Sequence, residues 1–233
     1  MSASPHTVSG WLWPVRRTVS RLRLKAALYV TEKKMGKGQQ TRRTQFALLL
    51  PAPDSIVFLG DSITEGGLWE EWFPGEHSVN RGIGGETSVQ VLERIDGTIN
   101  DPAAVFLLIG TNDLTLGYSI PVIAKNVERV VARVRALAPH AQVIVQSVMP
   151  RGARWKHSVL RLNAALADVA DRCAARYIDL WPALSDSDGA LRPGMTIDGL
   201  HLTGPGYKAW VHELQPFIAA IRAEGTERNG QAV

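Results

Sequence analysis

Short apolar runs alternate with helical patterns between about Asp54 and Arg222. The runs that predict strands cover residues 55–59, 78–80, 104–109, 142–148 and 176–180. They are continuously apolar and do not alternate with polar residues, which is typical of strands buried on both faces of a parallel sheet. The pattern therefore predicts a five-stranded parallel sheet.

Helical periodicity lies between these runs. The spacing predicts a helix over residues 120–137, ending before Pro139, and a last helix that follows Pro205. The apolar face of the first helix is formed by Val122, Asn126, Val130 and Val134, and that of the next by Val159, Leu162, Leu166 and Val169. Alternating strands and helices predict a doubly wound α/β fold with three layers, α/β/α. In such a sheet, ligands bind beyond the carboxyl ends of the strands.

The first 50 residues follow a different pattern. Apolar residues recur there at helical spacing, while most basic residues fall elsewhere on the helical wheel. The apolar positions are Val15, Val19, Leu22, Ala26 and Tyr29. Two interpretations stay open for residues 11–30: a helix on a membrane surface with Trp11 and Trp13 at the interface, or a helix docked on its own domain or on a sister subunit. Residues 36–40 are expected to be a flexible connection.

Charge divides the chain in the same way. Residues 1–50 hold ten Lys and Arg against one Glu, a net charge of +9, whereas residues 51–233 carry −5. We therefore predict a basic arm (1–50), a folded domain (51–224) and a short tail (225–233). The basic residues belong to the arm, which argues against a nucleic-acid-binding face on the domain.

Composition narrows the protein class further. The single cysteine, Cys173, excludes an internal disulfide framework and is expected to be a small buried side chain. No run reaches the length of a membrane-spanning helix, and the basic residues within positions 11–30 do not fit a secretory signal. The expectation is a cytoplasmic protein, with peripheral membrane association left open.

Three predicted strands are each followed by a loop that suggests chemistry. Gly60-Asp61-Ser62 could present a hydroxyl above the sheet edge, at the N-terminus of a helix. In the stretch 80–87, adjacent glycines allow close approach of the backbone with a free N–H. Gly110-Thr111-Asn112-Asp113 offers a side-chain amide to a developing oxyanion.

A fourth motif lies near the C-terminus, where Asp198-Gly199-Leu200-His201 places a carboxylate three residues from an imidazole. In a turn the two side chains face the same side, so Asp198 could hold one ring nitrogen while the other faces a serine. Each motif has an ordinary alternative as a turn, a helix cap or a chance spacing. The glycine stretch fits neither the dinucleotide fingerprint nor a Walker phosphate loop.

Taken together, the four motifs resemble those of the GDSL, or SGNH, esterases and lipases, in order and in separation. The resemblance spans residues 55–221 and is strongest to the catalytic subunits of platelet-activating-factor acetylhydrolase and to bacterial acetylesterases. It rests further on residues 68–73, 80–85, 149–152 and 201–204. It implies a flavodoxin-like fold and an enzyme that needs no cofactor or metal.

The resemblance also implies a role for each matching residue. Ser62 would be the nucleophile, His201 the general base and Asp198 its orienting partner. The N–H groups of Ser62 and Gly85, with the side-chain amide of Asn112, would form an oxyanion hole. Glu86 departs from the aspartate of many family members, a change expected to matter little. Asp61 and Asp113 are expected to accept backbone N–H groups and order the loops.

The predicted activity is hydrolysis of short-chain acyl esters, acetyl esters foremost, of a small metabolite, carbohydrate or lipid through an acyl-enzyme. Lysophospholipase, thioesterase or acyltransferase chemistry at the same site stays an alternative. So does a non-catalytic, membrane-recruited binding protein that acts through the arm. The expected partner is a small-molecule ester, with homo-oligomerisation left open.

Overall fold

The computed structural model describes residues 36–230, with side chains as far as residue 225. The helix predicted within residues 11–30 lies outside the described residues, so the division into arm, domain and tail stays a prediction. The strands are β1 (Ile56–Gly60), β2 (Ser78–Gly82), β3 (Ala104–Leu108), β4 (Gln142–Gln146) and β5 (Arg176–Ile178). The α-helices are α1 (residues 36–48), α2 (Ser62–Glu65), α3 (Trp69–Trp72), α4 (Ser88–Arg94), α5 (Thr111–Thr115), α6 (Ile120–Leu137), α7 (Lys156–Arg172), α8 (Trp181–Leu184) and α9 (Gly204–Gly230).

The strands form one sheet in the order β2-β1-β3-β4-β5, and every neighbouring pair is parallel. This is the flavodoxin-like order, in which the chain changes direction across the sheet between β1 and β3. The predicted five-stranded parallel sheet and the three-layer α/β/α architecture are therefore confirmed. The register pairs Phe58 of β1 with Asn80 of β2 and with Phe106 of β3.

Helices cover both faces of the sheet because successive strand residues point to opposite sides. Val57 and Leu59 belong to the core under α4, α6 and α7. Ile56 and Phe58 belong to the core on the other face, with Trp69 of α3 and side chains of α8 and α9. Both strand faces are buried, which explains why the strands are continuously apolar in sequence.

Helix α6 has the predicted bounds, but its buried face differs in one position. Asn126, Val130 and Val134 are buried as expected, whereas Val122 is 48% exposed. The buried face instead includes Ile123, Val127 and Val131. Val122 lies at the solvent margin of this stripe. An α-helix has 3.6 residues per turn, so residues spaced strictly four apart shift gradually around the helix axis. The predicted face of α7 is correct at all four positions.

The flexible connection predicted at residues 36–40 is wrong, because these residues are helical and belong to α1. Phe46 of this helix is 8% exposed and lies beneath the guanidinium groups of Arg42, Arg81 and Arg94. Two glycines lower the helix propensity of the segment, but its contacts with the domain offset that cost. Helix α1 is thus packed against the sheet domain.

Two further observations concern the described part of the chain. Cys173 is partly buried at the end of α7, where it packs against the apolar core as expected of a small side chain. None of the helices within residues 36–230 combines the length and the apolar character needed to cross a bilayer.

Candidate active site

Ser62 is the first residue of α2, directly beyond the carboxyl end of β1. The chain passes closely between neighbouring elements there, since a Cβ on Gly60 would lie 2.3 Å from the carbonyl oxygen of Leu108. Asp61 caps the helix by accepting a 3.0 Å hydrogen bond from the N–H of Ile63. This turn leaves the Ser62 hydroxyl at the surface, where Oγ lies 2.9 Å from Nε2 of His201.

His201 and Asp198 lie on the segment between α8 and α9, and their side chains are in contact. Nδ1 of His201 is 2.6 Å from Oδ2 of Asp198. The other carboxylate oxygen accepts backbone N–H bonds from His201 at 2.8 Å and Leu200 at 2.9 Å. The hydrogen bond from the His201 ring, helped by these N–H groups, holds the pKa of Asp198 well below its usual range. Asp198 is therefore an ionised carboxylate in contact with the imidazole of His201.

The stretch Gly82–Glu86, termed the glycine loop, follows β2 and lies beside Ser62. A Cβ built on Gly84 would be 3.7 Å from Cβ of Ser62, so the backbone approaches the hydroxyl closely. The N–H of Gly84 donates a 2.7 Å hydrogen bond to Oε2 of Glu65. Gly85 has a φ of +75°, which favours glycine. Within residues 36–230, no group accepts a hydrogen bond from the N–H of Gly85.

Asn112 is the second residue of α5, beyond the carboxyl end of β3. Its side-chain amide donates a 2.9 Å hydrogen bond to the carbonyl oxygen of Glu86 and lies 3.5 Å from Oδ2 of Asp61. β1, β2 and β3 are adjacent in the sheet, so their three carboxyl-end loops meet above one edge. Parallel strands thereby bring Ser62, Gly85 and Asn112 together from distant parts of the chain.

Asp61 and Asp113 are both fully buried beneath the site and accept backbone N–H groups, as expected. Burial raises the pKa of Asp61 to about 7. Asp113 accepts hydrogen bonds from the N–H and the hydroxyl of Ser88, and burial raises its pKa as well. Neither carboxyl group lines the cavity around Ser62.

An open cavity of about 450 Å³ adjoins Ser62. It is lined by Ser62, Gly85, Asn112 and His201, and also by Gly38 and Gln39 of α1. All the predicted site residues except Asp198 therefore border one space, and Asp198 contacts His201 from behind. A cavity of this volume is at the small end of ligand-binding pockets.

Sequence reasoning missed four polar residues that contact the glycine loop: Gln39, Arg42 and Arg43 of α1, and Glu65 of α2. Glu86, expected to matter little, is fully buried and forms ion pairs of 2.8 Å with Arg43 and 2.7 Å with Arg94. The available signal was the spacing of Gln39, Arg42, Arg43 and Phe46, which places them on one helical face. Because three of these four side chains are polar, nothing in the sequence indicated that this face of the helix is buried against the domain.

Comparison with known proteins agrees with this architecture. The model of the GDSL-like lipase/acylhydrolase family matches residues 58–209. Subunit alpha2 of platelet-activating factor acetylhydrolase IB from Rattus norvegicus is 29% identical over 186 residues, covering 75% of this chain and 80% of the relative.

Solved structures are similar as well. A GDSL-like lipase from Bacteroides thetaiotaomicron has a TM-score of 0.66 at 27% identity, covering 78% of this chain and 97% of that one. An acetylxylan esterase from Geobacillus stearothermophilus shares the fold, with a TM-score of 0.59 at 17% identity over 71% of this chain and 94% of that one.

The matched family region contains the last three residues of β1, all of β2 to β5 and all five predicted site residues. The resemblance inferred from the four motifs is confirmed, and the family match does not support the alternative of a non-catalytic binding protein. The chain belongs to the GDSL-like lipase/acylhydrolase family and is an ester-cleaving hydrolase.

Proposed function

We propose that this chain is a serine esterase that hydrolyses short-chain acyl esters, acetyl esters foremost, through a covalent acyl-enzyme. The observation that carries the proposal is the continuous hydrogen-bonded chain from Ser62 Oγ through the His201 ring to Asp198 Oδ2, with distances of 2.9 and 2.6 Å. A hydroxyl, an imidazole and a carboxylate in this order activate a serine for acyl transfer.

In the first half-reaction, His201 Nε2 accepts the Ser62 proton while Oγ attacks the ester carbonyl. The carbonyl oxygen becomes an oxyanion that accepts hydrogen bonds from the N–H groups of Ser62 and Gly85 and from the amide of Asn112. The imidazolium then donates its proton to the departing alcohol, leaving the acyl group on Ser62. Throughout, Asp198 holds Nδ1–H, since its depressed pKa keeps it ionised.

In the second half-reaction, water takes the place of the alcohol. His201 accepts a proton from water, whose oxygen attacks the acyl carbonyl, and a second oxyanion forms at the same donors. Its collapse releases the carboxylic acid and returns the proton to Ser62. In the described part of the chain the N–H of Gly85 has no acceptor, which supports this role, because a free donor beside the serine is available to a developing charge.

Two observations support a small acyl group. The cavity beside Ser62 has a volume of about 450 Å³. The relative from Rattus norvegicus is named as a subunit of an acetylhydrolase. A series of acetyl, butyryl and octanoyl p-nitrophenyl esters tests the acyl preference, and kcat/KM should be highest for acetyl. A maximum at octanoyl would replace this proposal with a long-chain esterase.

The nucleophile is tested with Ser62→Ala. Hydrolysis of p-nitrophenyl acetate should fall by roughly 10⁴–10⁶, and a fluorophosphonate should label Ser62 in the unchanged chain only. Ser187→Ala is the matched control, because Ser187 is exposed and lies away from the cavity. Equal activity of the two variants would overturn the assignment. Product analysis with added alcohol separates hydrolysis from acyl transfer, since a transferase would release the ester of that alcohol as its main product.

A further inference from the structure

One face of α1 contacts every second residue of the glycine loop. Gln39 Nε2 donates to the carbonyl oxygen of Gly84 at 2.9 Å, and Arg42 Nε donates to that of Gly82 at 2.8 Å. Arg43 Nε pairs with the buried carboxylate of Glu86 at 2.8 Å. Positions 39, 42 and 43 lie on one side of a helix, so a single surface of α1 spans the whole loop.

The contact made by Gln39 determines the direction of a neighbouring N–H. The Gly84 carbonyl and the Gly85 N–H belong to one planar trans peptide, in which the two groups point in opposite directions. Since both flanking residues are glycine, this peptide could rotate at little steric cost. The hydrogen bond from Gln39 to Gly84 opposes that rotation and keeps the Gly85 N–H directed away from α1.

Two other residues hold the preceding peptide, between Ile83 and Gly84, and the side chain of Gln39. Glu65 accepts a 2.7 Å hydrogen bond from the N–H of Gly84 and lies 3.2 Å from Arg42 Nε. The N–H of Gly84 is therefore bound by a side chain of α2 and its carbonyl oxygen by a side chain of α1. Gln90 of α4 donates to Oε1 of Gln39 at 3.3 Å and so orients the Gln39 amide. The alternative rotamer of Gln39 would direct an oxygen at the Gly84 carbonyl.

The contacts of α1 extend to the second side-chain donor of the site. Arg43 forms an ion pair with the carboxylate of Glu86. The backbone carbonyl of Glu86 accepts a hydrogen bond from the side-chain amide of Asn112. Residues of α1 also form part of the cavity wall. Helix α1 therefore touches the backbone on which both non-serine oxyanion donors depend.

From these contacts we infer that α1 is a positioning element of the active site, in which Gln39 holds the Gly84–Gly85 peptide in the orientation that presents the Gly85 N–H to the oxyanion. The inference rests on the proposed serine-esterase function. It concerns a segment N-terminal to the matched family region, which begins at residue 58.

The test compares Gln39→Glu with Gln40→Glu in the full chain. Gln40 is the same residue type at the adjacent position and is exposed, and its side chain makes no hydrogen bond to another residue in the range 36–225. A glutamate at position 39 cannot donate to the Gly84 carbonyl and repels it, while the control introduces the same charge. Active sites are counted by fluorophosphonate titration, and kcat per titrated site and KM are measured with p-nitrophenyl acetate.

Gln39→Glu should lower kcat per site by roughly 10-fold or more, approaching the 10²–10³ that accompanies loss of a complete oxyanion donor. KM should change less than twofold, and Gln40→Glu should match the unchanged chain. A merely structural role would reduce the number of titratable sites or the Tm and leave kcat per site intact. That result, or equal kcat in the two variants, would overturn the inference.

The same titration separates this inference from the proposed function. If the fluorophosphonate does not label Ser62 in the unchanged chain, the proposed function fails and the inference fails with it. If Ser62 is labelled and both variants keep full kcat per site, the inference alone fails. Gln39→Ala provides a second variant, which should show a smaller loss of kcat because it removes the donor without adding repulsion.

Discussion

The side-chain amide nitrogen of Asn112 lies 2.9 Å from the backbone carbonyl oxygen of Glu86, to which it donates a hydrogen bond. Residue 86 ends the glycine loop beyond β2, and Asn112 follows β3, so this bond joins the two loops that flank Ser62. One of the two amide hydrogens is thereby used to fix the orientation of the side chain. The same nitrogen makes only a long contact of 3.5 Å with Oδ2 of Asp61, so we expect its other hydrogen to be available to a substrate oxygen.

Replacing Asn112 by alanine should therefore lower kcat by roughly 10²–10³, because one oxyanion donor is lost. Asn100→Ala is the matched control, since its amide also donates to a backbone carbonyl, that of Pro51 at 3.1 Å, but lies outside the cavity. Both variants should fold with similar Tm values, measured by thermal unfolding. A kcat within threefold of the unchanged chain would rule out Asn112 as a donor.

Replacing Asp198 by asparagine tests the orientation of His201. The asparagine oxygen can still accept the backbone N–H groups of Leu200 and His201, but its NH₂ cannot accept Nδ1–H. The ring then favours the tautomer with its hydrogen on Nε2, which cannot accept the Ser62 proton. We expect kcat to fall by roughly 10³–10⁴.

The control for this variant is Asp179→Asn, because Asp179 also accepts a nearby backbone N–H, that of Trp181 at 3.0 Å, in an exposed turn. Its kcat should equal that of the unchanged chain. If Asp198→Asn retained more than a tenth of the original kcat, the carboxylate would not be needed to orient the imidazole.

Asp61 should make the stability of the protein depend on pH. Its pKa is raised to about 7 by burial, whereas an unfolded aspartate titrates near pH 4. Between these values the native state keeps a proton that the unfolded state has lost. The contribution of Asp61 to stability is therefore fully present below about pH 4, declines as the pH rises to about 7 and is constant above that.

Asp61→Asn isolates this effect, since asparagine can still cap α2 through its oxygen and does not ionise. Between pH 5 and pH 8 the Tm of the unchanged chain should fall relative to that of the variant. Asp188→Asn, which replaces an exposed carboxylate, should follow the unchanged chain at every pH. Parallel curves for Asp61→Asn and the unchanged chain would contradict the raised pKa.

A larger side chain at position 38 should shift the acyl preference toward shorter chains. Gly38 lines the cavity, and a Cβ added there meets no atom within 4 Å, so leucine can be accommodated by the fold. In Gly38→Leu the ratio of kcat/KM for acetyl to that for octanoyl p-nitrophenyl ester should rise by roughly 10-fold or more, as expected when apolar pocket volume is lost.

Gly36→Leu is the control, because a Cβ at Gly36 also meets no atom within 4 Å and Gly36 does not line the cavity. Both substitutions remove a helical glycine and so change helix propensity alike. An equal change of the ratio in both variants would mean that α1 does not border the acyl group.

Much of the fold could be predicted because it depends on local patterns. The continuous apolar runs identified all five strands to within two residues at each end, since a strand buried on both faces needs apolar side chains at every position. The bounds of α6 followed from the periodic face and from Pro139, which disfavours helix at the residue before it. Val122 was misplaced, because a spacing rule does not locate the centre of the buried stripe.

The sequence by itself also predicted which motif residues come together, because parallel strands place the loops after β1, β2 and β3 at one edge whatever the details of packing. Only the tertiary structure decided that α1 belongs to that site. Gln39, Arg42 and Arg43 donate to two backbone carbonyls and one buried carboxylate of a distant loop. Such contacts leave no apolar period in the sequence, because the donating side chains are polar and two of the three acceptors are backbone carbonyls, which every residue carries.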